Sequence, residues 1–192
     1  MRVTHVITRL IVGGAQENTI ASVQGLRGKP GLEVDLVAGP TFGPEGSLEP
    51  LVAEQPHLLT IVPQLVRPLH PWNDWFAFRK LTRLFRGRQP DIVHTHSGKA
   101  GILGRLAAAK AGVPMILHTI HGPSFGSFQG PIANALFHAA ERYAARVTTH
   151  FVAVAEAMKQ QYLAGGVGRP DQFTTIFSGF PLEPFLSAIN DR

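Results

Sequence analysis

A single doubly wound, Rossmann-like α/β domain with a mostly parallel sheet of about seven strands is the fold class this sequence predicts, on three observations. Short β-branched runs alternate with longer segments of helical period. The chain has 192 residues, 44% of them hydrophobic, enough for one sizeable core. Glycines, prolines and helix-capping residue types stand where the runs change character. Such alternation joins strands by crossover helices and therefore pairs them in parallel.

Val3 to Thr8, Ala15 to Leu26 and Glu33 to Ala38 read as strand, helix and strand, one βαβ unit. Leu58 to Val62 is the next strand, Asn73 to Arg88 a helix, Ile92 to Thr95 a strand and Lys99 to Ala111 a helix. Met115 to Ile120, Val147 to Val154 and Phe173 to Phe177 supply three more strands, with helices at Pro131 to Arg146 and Glu156 to Ala164. Asn73 and Ser97 are N-cap types, Pro131 suits a first helical turn, and Gly112 suits a helix end followed by Pro114. Gly39 to Gly46 and Gly122 to Gly130, rich in glycine and proline, read as loops. Residues 1–177 form the expected domain, and 178–192, with Pro181 and Pro184, read as a linker leaving the sheet.

Composition narrows the function classes. Without cysteine there is no disulfide framework or thiolate metal site, which fits a reducing, cytoplasmic setting. No signal-peptide pattern opens the chain, and no apolar run is long enough to span a bilayer. A net charge of +5 and a pI near 10.1 favour anionic partners. Nucleic acid is not the expected one, because no common RNA- or DNA-binding signature is present.

Ligands of parallel α/β sheets sit beyond the carboxyl ends of the strands. Two strands carry polar groups there: Asp91-Ile92-Val93-His94-Thr95-His96 runs into Ser97-Gly98-Lys99, and Met115 to Ile120 ends on His121-Gly122. His96 and His121 therefore read as ligand-facing, whereas His94 and His118, inside their strands, read as hydrogen-bonded core histidines. The H-x-H pair with His121 also invites a metal reading, a hydrolase centre of His94, His96 and His121. It lacks further carboxylates or histidines at the strand ends, so no metal is expected. Gly13-Gly14, between the first strand and first helix, lets backbone N–H groups approach a phosphate or a sugar, or serves a tight turn. Neither it nor Gly165-Gly166-Val167-Gly168 completes a dinucleotide-binding fingerprint after the first strand. Gly98-Lys99 is no P-loop, because Val93 stands where the first glycine is needed.

On a helical wheel, Phe78, Leu81, Leu84 and Phe85 form the buried face of the helix ending at Arg88. Arg79, Arg83 and Arg86 lie opposite, with Trp75 and Phe76 nearby, a combination that suits an anionic membrane surface. A solvated basic face whose aromatics fold back onto loops is the alternative.

Taken together, these pieces resemble the amino-terminal half of the retaining, GT-B-fold glycosyltransferases of family 4. The resemblance rests on Gly13-Gly14-Ala15-Gln16-Glu17, Pro90 to His96, the Ser97-to-Gly101 helix start, His118-Thr119-Ile120-His121-Gly122, and Phe151 to Val154 leading to Glu156. It implies an acceptor-binding domain for a polysaccharide or lipid-linked sugar acceptor. A UDP- or GDP-linked sugar donor would be held mainly by a second domain, without metal. Gly13 and Gly14 would lie near donor phosphates or acceptor, and His121 would reach the transferred sugar. His96 and Lys99, from position and charge, would hold an acceptor phosphate. The pattern departs at Ser178-Gly179-Phe180-Pro181, where the family has an Asn-Gly-Val-Asp-like turn, and the donor-side carboxylates have no counterpart. Half an enzyme, inactive alone, is the expectation; a non-catalytic ligand-binding or scaffold module is the rival.

Overall fold

The computed structural model describes residues 1–55, 57–179 and 186. Seven parallel strands, β1 (Arg2–Ile7), β2 (Glu33–Ala38), β3 (Leu59–Ile61), β4 (Ile92–His96), β5 (Met115–Ile120), β6 (His150–Ala153) and β7 (Phe173–Thr175), lie in the order β3-β2-β1-β4-β5-β6-β7. The helices are α1 (Gly14–Arg27), α2 (Pro50–Ala53), α3 (Pro71–Arg88), α4 (Gly98–Ala111), α5 (Pro131–Ala145) and α6 (Glu156–Ala164). The chain winds outward from β1 to β3 on one side and from β4 to β7 on the other. The strand order therefore reverses between β1 and β4, where doubly wound sheets open their ligand crevice.

Alternation along the inner strands divides the core. Val6, Val37, Val93 and Ile116 face Leu81 and Phe85 of α3 and Ala107 and Ala108 of α4. Val3, Ile7 and Leu36 face Ile20 and Val23 of α1, and Phe151 packs with Tyr162 and Val167 beneath β6 and β7. Each fully buried large side chain here contributes about 1.5–3 kcal/mol. The buried face expected for α3 is met, with Phe78 and Leu84 partly covered beside Leu81 and Phe85.

Two glycines set how closely α4 lies on the sheet. A Cβ at Gly101 would stand 2.5 Å from His118 Cε1, and one at Gly104 2.8 Å from Thr95 Cγ2. The missing Cβ atoms let the first turns of α4 lie close on β4 and β5. Gly112 closes α4 at φ 80°, the left-handed position that favours glycine.

Several boundaries shift from the sequence reading for local reasons. α3 starts at Pro71, not Asn73, because His70 is its N-cap and accepts the Asn73 N–H at Nδ1, 3.3 Å. Ser97 occupies the N-cap of α4 without a side-chain cap bond. Thr8, from the end of β1, caps instead, its Oγ1 accepting the Ala100 N–H at 3.1 Å. β6 begins at His150 rather than Val147, since Val147 and Thr148 still donate to carbonyls of α5. The short α2 was not anticipated. Of the expected linker, 180–185 and 187–192 lie outside the described residues.

Candidate functional site

Beyond the carboxyl ends of β1, β4 and β5 lies a cleft of about 1000 Å³. Thr8, Ser97, Gly98, Lys99, His121 and Gly122 form its floor. One bank is Arg67, Pro68 and Leu69, leading into α3; the other is Phe128, Gly130, Ala133 and Phe137, at the start of α5. Ser97, at the turn from β4 into α4, holds φ 60°, a conformation that few non-glycine residues adopt and that is often found at ligand sites. Its Oγ lies 3.0 Å from Thr8 Oγ1, tying the two strand ends together across the switch point. A second concavity of about 650 Å³ lies at the opposite strand ends, lined by Arg2, Glu33, Asp35 and Arg88. Arg88 there is already bridged to Asp35 at 3.1 Å, and the sheet topology directs no ligand to that end.

Beneath the cleft runs a row of imidazoles. His5 Nδ1 stands 2.9 Å from His96 Nε2, and His96 Nδ1 stands 3.0 Å from His121 Nε2. His94, paired in register with His5 across β1 and β4, bonds Thr119 Oγ1 through Nε2 at 2.7 Å. His118 bonds Thr95 Oγ1 through Nδ1 at 2.9 Å. Burial lowers the pKa of all five, to about 4 for His5 and for His121. All are neutral imidazoles near pH 7, able to donate and accept hydrogen bonds but unable to neutralise a phosphate.

The structure separates the sequence-predicted residues. His121 is partly exposed on the cleft floor, as expected. His96 is 1% exposed and does not reach the cleft; its strand ends there, but its ring turns inward between His5 and His121. Lys99 lines the cleft, yet its ammonium is bound to the Asp74 carboxylate and the Pro68 carbonyl, so it offers no free cation in this geometry. Gly13 and Gly14 stand at the rim, beside Ile11, Ala15 and Gln16 of the lining. A Cβ at Gly14 would meet nothing within 4 Å, and one at Gly13 only the Gln16 side chain, at 3.0 Å. Close packing within the domain therefore does not account for the pair.

His5 is the residue sequence reading missed. A signal existed: counting back from the strand ends, His5 stands three residues before Thr8 and His94 three before Ser97, so neighbouring β1 and β4 bring them level. Among the described residues, the trio with ring nitrogens within 4.8 Å of one another is His5, His94 and His96, not His94, His96 and His121. Hydrogen bonds already occupy His94 Nε2, both nitrogens of His96 and Nδ1 of His5, and the buried His5 Nε2 has no partner among the described residues.

On α3, Trp75 is 47% and Phe76 51% exposed, while Arg79, Arg83 and Arg86 face solvent. The aromatics do not fold back; Arg79 lies over the Trp75 ring at 4.7 Å. Trp72, at 70% exposure, extends the patch beyond what the helical wheel indicated. Among the described residues, no helix is long and apolar enough to cross a membrane.

Comparison with known proteins agrees with this architecture. The model of Glycosyltransferase Family 4 matches residues 12–183. An Escherichia coli UDP-Gal:alpha-D-GlcNAc-diphosphoundecaprenol alpha-1,3-galactosyltransferase is 36% identical over 129 residues, covering 67% of this chain and 33% of that protein. The lipopolysaccharide outer core galactosyltransferase WaaB superposes with a TM-score of 0.66 at 12% identity, over 95% of this chain and 47% of WaaB. Methanocaldococcus jannaschii UDP-GlcNAc 2-epimerase, in complex with UDP-GlcNAc and UDP, gives 0.68 at 12% identity over 92% and 46%. The two structures show the fold alone, and this chain spans about a third of its curated relatives and about half of the solved structures. With the family match running through nearly the whole domain, on a sheet that forms half of a GT-B architecture, the chain belongs to glycosyltransferase family 4.

Proposed function

We propose that this domain is the acceptor-binding half of a retaining hexosyltransferase, which moves a hexose from a UDP- or GDP-sugar to a polysaccharide or lipid-linked acceptor. The observation that carries the reading is His121, a neutral imidazole on the cleft floor, fixed from behind by His96 at 3.0 Å. A ring so held aligns with a sugar hydroxyl and strengthens that bond as charge develops at the anomeric carbon. In front-side transfer the acceptor hydroxyl attacks on the side of the departing phosphate, and that phosphate needs positive charge. Of the cleft's own cations, Lys99 is committed to Asp74 and Arg9 to Glu45 at 3.3 Å, which leaves the exposed Arg67 on the bank before α3. Transfer on this reading requires a second, donor-binding half, and the role proposed for Lys99 requires an acceptor phosphate to displace Asp74. The Gly13-Gly14 rim would admit the donor phosphates or the acceptor; no metal is called for. A cytoplasmic enzyme resting on the membrane through Trp75, Phe76, Arg79, Arg83 and Arg86 would meet a lipid-linked acceptor where it lies.

A product assay with a panel of UDP- and GDP-sugars tests the reading, UDP-galactose with a diphosphoundecaprenol-linked acceptor being the first pair to try. The chain alone should give no transfer. With a complementing donor-binding half, His121→Ala should lower kcat/KM by roughly tenfold or more with Tm nearly unchanged. Robust transfer by the pure chain, or full activity in the variant, overturns it.

A further inference from the structure

The polarity of α5 is reversed on its outer side. Its solvent-facing positions are Pro131, Ile132, Ala135, Leu136, Ala139, Arg142 and Tyr143, with Ile132 85%, Leu136 55% and Tyr143 58% exposed. Its acid, Glu141, points inward and is fully buried against Arg105 at 2.5 Å. A surface helix normally presents charge outward and apolar groups inward. Across 122–146 the exposed charges are Arg142 and Arg146, both basic, and Phe128 carries the apolar surface to the cleft at 64% exposure.

We propose that the outer face of α5 is a bilayer-docking surface, set on the opposite bank of the cleft from α3 so that the cleft mouth opens onto an anionic membrane. Three features fit a lipid surface. Arginine supplies all of the exposed charge, at the carboxyl end of the helix, as anionic headgroups require. Phe128 and Tyr143 stand at either end of the aliphatic stripe, where interfacial aromatics serve best. The stripe is also continuous with the cleft through Ala133 and Phe137, as α3's exposed aromatics are through Leu69. Two docking helices flanking one mouth fix its orientation, which a single helix cannot do.

The choice of a bilayer rests on the reading of a membrane-borne acceptor, but vesicle binding is measured without donor or acceptor, so the two can fail separately. The test is flotation with mixed phosphatidylglycerol/phosphatidylcholine vesicles at low and high salt. The parent should bind, and part of that binding should survive high salt, because apolar insertion is not screened. Ile132→Gln/Leu136→Gln, both exposed positions, should weaken the salt-resistant part, lowering partition by roughly tenfold with an unchanged circular dichroism spectrum. Arg79→Glu/Arg83→Glu/Arg86→Glu should instead lower the salt-sensitive part, leaving what Arg142 and Arg146 contribute. Three outcomes overturn the proposal: no vesicle binding by the parent; equal salt-resistant binding by the α5 variant; or, in sedimentation equilibrium, a parent dimer that the α5 variant dissociates, which would make a second copy the occupant.

Discussion

The five histidines under the cleft should make the domain acid-labile well above the pH at which carboxylates titrate. In the unfolded chain each imidazole takes up a proton near pH 6.5, whereas in the folded protein burial holds His5 and His121 at about 4 and His94, His96 and His118 well below their ordinary value. The unfolded state thus binds more protons below about pH 6.5, and stability must fall as the pH falls. One pH unit below 6.5 the loss is on the order of 1 kcal/mol for each of His5 and His121, and His94, His96 and His118 add to it in the same direction. A domain of this size has about 5–15 kcal/mol to lose. Asp35 works the other way, its carboxyl raised chiefly by burial, but it is one group against five. Urea unfolding at about pH 7.5, 6.5 and 5.5 should show a falling midpoint at constant m, steepest over the last unit. His5→Gln should make the dependence shallower. A total decline under about 2 kcal/mol would mean that these imidazoles protonate in place and that burial does not hold them neutral.

Two further variants probe the packing that positions the site. Glu141→Ala should cost about 3–5 kcal/mol, because it strands Arg105 at 0% exposure, its other partners among the described residues being the Gly101 carbonyl and Thr148 Oγ1. Arg105→Met/Glu141→Leu, removing both charges, should recover most of that in thermal unfolding; equal damage would show that the loss does not come from a stranded charge. Gly101→Ala should lower stability by about 1–3 kcal/mol through the contact with His118 Cε1, despite alanine's better helix propensity. His118→Ala in the same chain should relieve that clash, so the two losses should combine to less than their sum. Strict additivity would mean that His118 is not the wedge beneath α4.

What the sequence disclosed and what it withheld divide along sequence distance. The strands, the crossover helices and the burial of α3 follow from periods of two and 3.6 that each segment carries alone, and Pro131 and Gly112 mark their helix ends through their own backbone preferences. Caps set by neighbours escaped. Thr8 serves the amino end of α4 from a strand 92 residues earlier, so a capping residue type at Ser97 was no guide to which side chain does the capping. The site divides in the same way. The position of His121 in the cleft follows from its strand end, while the directions of His96 and Lys99 depend on His5 and Asp74, supplied by β1 and α3. A charged or ring nitrogen turns toward whichever partner desolvates it least, and strand position cannot reveal that partner. The outer face of α5 is the converse case. Its apolar stripe is visible on a helical wheel, but the wheel alone would assign it to the core. Only the buried Arg105–Glu141 pair shows which side faces in, and that leaves Ile132, Leu136 and Tyr143 looking outward.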